Sequence, residues 1–534
     1  MRAIWISFKH KSQLHFRLGI VAIVLISLLT RFWQLEGVAE IVFDEVYYPE
    51  YAQAYLNGLP QFDAHPPLGK YLIALGIQLF GYNPIGYRWV TALVGSLVPG
   101  LTCCLVYELA HQRRDRHSWA LLAGLFTACD GLLLVESRYG LINIFMVAFG
   151  LLSQICIFKA MQGWALANQA LGDRNIKAMP IELRRSCWWL WLMAAGIFLG
   201  AAVAVKWNGM AYGVGILIIL AMFWDSAYRS RPTRITDRSI NPKLSDRQQL
   251  RRSGYKLSQS HSKIDRKTLR QDQVDQQNNQ PRQLIGANLI YSQRSLLICI
   301  ILGLMIMPLA IYGLAWLPHL QLLQPSADSS LLSLLSQHTK IWAFHQGLGN
   351  GATAKIHPYC SRWWSWIFTL RPIAYFYEEL PNGLVRDVTA LGNPFLYWLG
   401  AIAIFLMIAL LIHRLWTNLE YKLVYGLPAP RPWRQIPWLV IYMVGSFAAH
   451  LLPWGLSDRC TFLYLYMPAS IYAFMAIALI TDWCWRQGGR SGRLISSAIV
   501  IAIVWAFIHW LPIYLGWPIS AAKFRSLMWF DSWI

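Results

Sequence analysis

Uninterrupted apolar runs of about 18 residues or more recur along the whole of this 534-residue chain. That recurrence constrains the fold more than any single motif. In hydrocarbon every backbone polar group needs an internal partner, so runs of this length become membrane-crossing helices. The sequence supports spans at 18–35, 88–109, 118–135, 141–160, 187–205, 210–224, 295–317, 393–416, 436–453, 462–480 and 494–517. Charged residues make up 14% of the chain, against about 25% in a soluble domain. The expected fold class is therefore an all-α polytopic membrane protein of about eleven transmembrane helices. The stretches 48–59 and 68–80 are helical but too short to span. They read as interfacial helices in the first outer loop, the second opened by Pro66 and Pro67.

The net charge of +21 does not point to nucleic acid, because it is confined to alternate loops. Between Asp225 and Arg294 there are 15 Lys/Arg against 6 Asp/Glu, and other basic clusters sit at 112–117, 174–185 and 486–493. Such loops stay on the cytoplasmic side. The first run has the form of a cleaved signal peptide or of an uncleaved helix. The second is favoured because the Asp44-Glu45 stretch follows at once and needs anchoring, with the basic N-terminus in the cytoplasm and the C-terminus of the chain outside. Three parts follow: a transmembrane module, 1–224; a basic, disordered cytoplasmic insert, 225–294; and a second transmembrane module, 295–534, with an outer loop at 318–391. The nine cysteines are an odd number and lack zinc-ligand spacing. Cys360 and Cys460 fall on the same, oxidising side, which leaves a bridge between them open.

Ionisable residues beside membrane segments are costly to desolvate and are functional candidates by default. Here they gather on the outer side: Asp44, Glu45, Asp63, His65, Lys70, Glu136, Arg138, Lys206, His357, Arg362, Arg371 and Arg459. A carboxylate pair with several cations at a membrane face suits displacement of a sugar from a lipid phosphate. Phosphate is a good leaving group, so no strong acid is needed. Cations balance the charge that grows on it, and a carboxylate takes the proton of the incoming hydroxyl. One displacement inverts the anomeric centre. No cofactor is required by this chemistry, and metal dependence stays open, with no ligand cluster in view.

The stretches FDEVYY (43–48), HPPLGK (65–70), ESRYGLIN (136–143), VKWNG (205–209) and HPYCSRWWSW (357–366) with LRP (370–372) closely resemble the protein O-mannosyltransferases of the GT-C class. The resemblance runs in order through most of the chain. It implies a GT-C fold and a site facing the periplasm across a bacterial plasma membrane. It also implies a β-linked polyprenyl-phosphate-mannose donor, and α-mannosylated Ser or Thr of exported proteins as product. On the matching positions it makes Asp44 the base, with Glu45 beside it as the second catalytic carboxylate. Arg138, Lys70 and His65 become donor-phosphate ligands, with Glu136, Lys206, Arg371 and Arg459 as further candidates. The loop 318–391 is too short for the β-trefoil domain of eukaryotic members.

Each residue also has a plainer reading. Asp44 suits a helix N-cap, and Glu45 suits orienting Asp44 or binding acceptor backbone. Arg138 suits an ion pair with Glu136. Lys70 could snorkel from an interfacial helix; His65 could bond within its loop, Lys206 could anchor the interface, and Trp363, Trp364 and Trp366 could join an aromatic belt. Two other functions compete: a lipid-phosphate-sugar transferase acting on a glycolipid or wall polymer, and a transporter. Transport predicts charges at helix centres and paired broken helices, whereas these charges lie at helix ends.

Overall fold

The computed structural model describes residues 2–111, 113, 115–172, 187–229, 293–323, 331–348, 357–425 and 437–534. Most of the basic insert and the basic loop before Arg434 lie outside the described residues. The chain divides into one large compact unit, Met1–Met222 with Ile298–Ile534, and a second, Phe223–Leu297, of which only two helix ends are described.

In chain order the main helices are α1 (Arg2–Phe32), α2 (Tyr48–Leu56), α3 (Leu68–Phe80), α4 (Pro84–Leu109), α5 (Arg116–Ala128), α6 (Gly131–Arg138), α7 (Asn143–Gly172), α8 (Trp188–Val205), α9 (Tyr212–Arg229), α10 (Gln293–Ile301) and α11 (Met307–Leu323). They continue as α12 (Leu331–Gly347), α13 (Pro394–Val424), α14 (Trp438–Leu451), α15 (Met467–Gln487), α16 (Gly489–Leu515) and α17 (Ala521–Leu527). Among the described residues ten helical segments are long and apolar enough to cross a membrane, or eleven if the bent pair α5–α6 is one span. The short helices α2 and α3 sit where interfacial helices were expected.

The third expected span, 118–135, is not straight: α5 and α6 meet at 59°. Asp130 sits at the break and caps α6, accepting from Leu133 N at 3.0 Å. Its other oxygen accepts from Asn393 N at 3.2 Å. The Asn393 side chain accepts from Leu396 N, capping α13, and donates to the carbonyls of Cys129 and Ile503, each at 2.9 Å. One buried Asp–Asn pair thus terminates two helices and fastens α16 to the break, satisfying polar groups that water cannot reach.

The outer region 318–391 is structured where a loop was expected. Its start continues α11 through Pro318, α12 follows, and Ile373–Glu379 (β1) pairs antiparallel with Leu384–Ala390 (β2). The hairpin turn has the chemistry for reversal: Pro381, Asn382 accepting from Leu384 N at 3.2 Å, and Gly383 at φ +76°. Pro518–Ser520 (β3) adds to β2, giving the order β1–β2–β3. Gly516, at φ +68°, ends α16 and turns the chain into β3. The fold is helical with this one small sheet among the described residues.

Candidate active site

The Asp-Glu pair lies in a tight helical turn, Phe43–Val46, between α1 and α2. The turn sends the two carboxylates to opposite fates. Glu45 is fully buried and forks against Arg88, with Nε to Oε1 at 2.8 Å and NH2 to Oε2 at 2.7 Å. Its oxygens also accept from Val42 N at 3.2 Å and Gly140 N at 2.6 Å. Glu45 is a structural clamp. Asp44 is only partly buried, and its carboxylate takes no hydrogen bond and no ion pair within the described residues. Burial raises its pKa to about 6, and Lys206 opposes that rise.

The backbone at Phe43 is left-handed, φ +44°, a conformation that costs a non-glycine residue about 1–3 kcal/mol. Aromatic packing holds it. Phe43 stacks on Tyr375 of β1, with centroids 4.8 Å apart at 7°, and meets Phe462 and His357 edge-on at 5.7 and 5.8 Å. His357 and Phe462 come from segments welded together by the Cys360–Cys460 disulfide. Beside it, Ser361 N donates to Thr461 O at 2.8 Å and Thr461 Oγ1 to Ser361 O at 2.6 Å. The bridge left open by the sequence is present.

Lys206 ends α8 and is buried. Its Nζ donates to Asn143 Oδ1 at 3.0 Å and lies 5.0 Å above the Tyr464 ring. Asn143 Nδ2 donates to Glu136 Oε2 at 3.0 Å, and the other Glu136 oxygen accepts from Tyr375 OH. Burial lowers the Lys206 pKa to about 8, against the opposing pull of Asp44.

The HPPLGK stretch closes on itself. Lys70 is buried, pairs with Asp63 at 2.5 Å and donates to the carbonyls of His65 and Pro66. It neither snorkels nor faces open space. The His65 ring is partly exposed and lies 5.4 Å from that of His345. His345 bonds Ala64 O through Nε2 and Arg459 NH1 through Nδ1, both at 2.9 Å. Arg459 can only donate, so Nδ1 accepts and His345 is neutral, in keeping with a pKa lowered to about 4 by burial and then by Arg459.

Arg138 is buried, and its terminal nitrogens are engaged around the end of α1: NH1 donates to Thr30 O, Arg31 O and Trp33 O at 3.0, 3.0 and 2.7 Å and NH2 to Gln34 O at 3.3 Å, while Nε has no partner among the described residues. No ion pair with Glu136 forms. Arg371 donates to the carbonyls of Ser532, Ile534 and Pro358. The structure therefore gathers Asp44, His65, Glu136, Lys206 and Arg459, and places Glu45, Lys70, Arg138 and Arg371 in supporting contacts. Of the tryptophans, Trp366 is buried and bonds Ser361, while Trp364 is exposed.

A groove of about 1100 Å³ opens beside this cluster, lined by Met210 of the turn before α9, Val214 of α9, Ala449 and His450 of α14, and Trp342 and His345 of α12, with Arg459 at its edge. Sequence reasoning missed Phe43, Asn143, His345 and Tyr375. His338 and His345 are seven residues apart, which puts them on one helical face; that signal was present within the stretch taken as loop. Tyr375 had none, because only the tertiary fold brings β1 to Phe43. Among the described residues no group of His, Cys, Asp and Glu could hold a metal ion.

A helical membrane scaffold, one end of which carries an unpaired carboxylate among cations beside a groove of this size, defines the class: a GT-C membrane glycosyltransferase. A family model described as dolichyl-phosphate-mannose-protein mannosyltransferase matches residues 21–86 and 83–236. A second, the C-terminal four-transmembrane region of protein O-mannosyltransferase, matches 331–533. Together they cover most of the chain, which belongs to the protein O-mannosyltransferase family. The polyprenol-phosphate-mannose–protein mannosyltransferase of Corynebacterium glutamicum is 24% identical, over 96% of this chain and 92% of its own. That of Mycobacterium tuberculosis is 26% identical, over 96% and 90%. In fold, the yeast protein O-mannosyltransferase Pmt1–Pmt2 complex bound to the sugar donor is similar, with a TM-score of 0.69 at 15% identity, covering 97% of this chain and 93% of that one.

Proposed function

We propose that this protein transfers mannose, with inversion, from polyprenyl-phosphate-mannose to Ser and Thr hydroxyls of exported proteins. The observation that carries the reading is the contrast within one dipeptide: both carboxylate oxygens of Glu45 are engaged, whereas the carboxylate of the adjacent Asp44 takes no hydrogen bond. A base must be free to accept a proton, and Asp44 alone of the pair is.

The groove suits the donor. Its lining includes Met210, Val214, Ala449, Trp342 and Leu456, and it carries Arg459. The prenyl chain lies along these walls and the phosphate meets Arg459 and Lys206, with the His65 ring alongside. The acceptor oxygen attacks the anomeric carbon and its proton passes to Asp44. The carbon–oxygen bond to phosphate breaks and its electron pair stays on the phosphate, where the two cations balance it. This reading moves the phosphate contacts from Arg138, whose terminal nitrogens are held by backbone carbonyls, and from Lys70, whose three donors are spent, to Lys206 and Arg459.

The site faces the outer, periplasmic side of a bacterial plasma membrane in this reading, with the N-terminus cytoplasmic. The basic loops support that orientation, as does a disulfide beside the site. Modules 1–224 and 295–534 both contribute: Asp44, His65 and Lys206 from one, Tyr375 and Arg459 from the other. The test supplies membranes containing the protein with radiolabelled polyprenyl-phosphate-mannose and Ser/Thr peptides. Label should enter peptide as α-linked mannose. Label in glycolipid or wall polymer with none in peptide would transfer the reading to that acceptor class.

A further inference from the structure

We propose that Asn143 is a positioning residue that holds Lys206 off Asp44, so that the cation serves the leaving phosphate and the carboxylate stays free to act as a base. This rests on the reading of Asp44 above. The geometry fixes which way the Asn143 amide points. Glu136 Oε2 is an acceptor, so the atom facing it at 3.0 Å must be the Asn143 NH2 group. The amide oxygen is then turned to Lys206 Nζ, at 3.0 Å. Glu136 in turn is fixed by Tyr375 OH on its other oxygen, and Tyr375 stacks on Phe43, the residue before Asp44. The chain Tyr375–Glu136–Asn143–Lys206 therefore starts and ends next to the base, and each member determines the orientation of the next.

An accepting oxygen that is itself held in place is needed at this point. Lys206 is buried and faces two carboxylates, Asp44 and Glu136, with Arg459 and Lys70 as opposing cations and Tyr464 beneath it. Asp44 for its part faces Lys206, with Glu136, Tyr48, Tyr375 and Tyr464 around it. Removing the amide leaves a buried ammonium short of an acceptor; the carboxylate of Asp44, which has no other side-chain partner, becomes open to it, as does the Glu136 oxygen that the amide releases. A direct ion pair with Asp44 stabilises the ionised carboxylate and weakens it as a base.

The experiment is a double-mutant cycle in the full-length membrane protein, with donor and peptide as substrates. Asn143→Ala should lower kcat by about 10- to 100-fold, a share of what a positioned base contributes, with less change in peptide KM. The acid limb of its pH profile should move to lower pH. In a Lys206→Gln background, Asn143→Ala should add little, because the residue it positions is gone. The Glu136→Gln/Asn143→Asp exchange reverses the polarity of the first bond yet still presents an oxygen to Lys206, so it should recover activity lost by Asn143→Asp alone. Lys206 titration, followed by NMR of isotope-labelled lysine, should shift in Asn143→Ala; this readout does not depend on transfer to any particular acceptor. Additive losses in the cycle, with an unmoved acid limb and an unmoved Lys206 titration, would overturn the proposal while leaving wild-type mannosyl transfer, and so the function, intact.

Discussion

At the scale of single residues the adjacent acids should behave as different kinds of group. Asp44→Asn keeps the size and removes the base, so turnover should fall by about 10²–10⁴ in protein that still folds and binds donor; single-turnover rates and donor binding check this. Glu45→Gln breaks a buried, bidentate pair with Arg88. Breaking such a pair typically costs about 3–5 kcal/mol, so the loss should appear as a lower unfolding temperature and lower yield, not as a change in acceptor KM. The pH profile carries a second expectation. Asp44, raised to about 6, must be ionised to accept a proton, so rate should climb as pH rises through that value. Lys206, lowered to about 8, must be protonated to balance phosphate, so rate should fall as pH rises through it. A bell between those limits is expected in kcat/KM, and Lys206→Gln should remove its alkaline limb. The sequence put both acids in view but could not separate them. Their difference lies in Arg88 and Gly140, 43 and 95 residues away, and no local pattern encodes which of two neighbours meets them.

At the scale of elements, Arg138 shows a guanidinium used as a helix terminator. Three carbonyls at the end of α1 point at one nitrogen, where a cation also meets the negative end of the helix dipole. Arg138→Ala should therefore loosen the α1–α2 connection that carries Asp44. Activity should drop together with thermal stability, and donor KM should change little. Arg138→Lys should restore only part, since one ammonium cannot reproduce the fork. A donor KM that rose in Arg138→Ala without loss of stability would return the residue to the phosphate. The spans were legible because apolar length is a local property, and so were the two short helices between the first spans, the second opened by Pro66 and Pro67. The 59° break was not legible, because Asp130 reads as an isolated acid until Asn393 is beside it. The hairpin escaped for a different reason: its turn residues Pro381, Asn382 and Gly383 were a usable signal, but a long polar-to-aromatic stretch between spans resembles a loop.

At the scale of the whole molecule, the arrangement of spans yields a direct test of orientation. Single cysteines placed at Glu379 in β1 and Arg490 in α16, with exposed Cys187 replaced, should react with an impermeant thiol reagent from opposite sides of the membrane. Equal labelling of both from one side would reject the proposed orientation. The family was legible at this scale from five short stretches whose order, more than their content, is specific, and the same stretches supply most of the gathered site. What they could not supply was the partition between residues that meet substrate and residues that hold those in place. The Cys360–Cys460 bridge connects these scales. It is the covalent link between two segments whose side chains grip Phe43 in its costly backbone conformation. A newly inserted copy thus has all its helices before it has its finished catalytic centre, and thiol oxidation becomes a maturation step that separates insertion from competence. Cells defective in periplasmic disulfide formation, or a Cys360→Ser variant, should accumulate the protein at near-normal levels with depressed transfer. A mild reductant should lower transfer by purified wild type to the level of that variant and leave the variant unchanged.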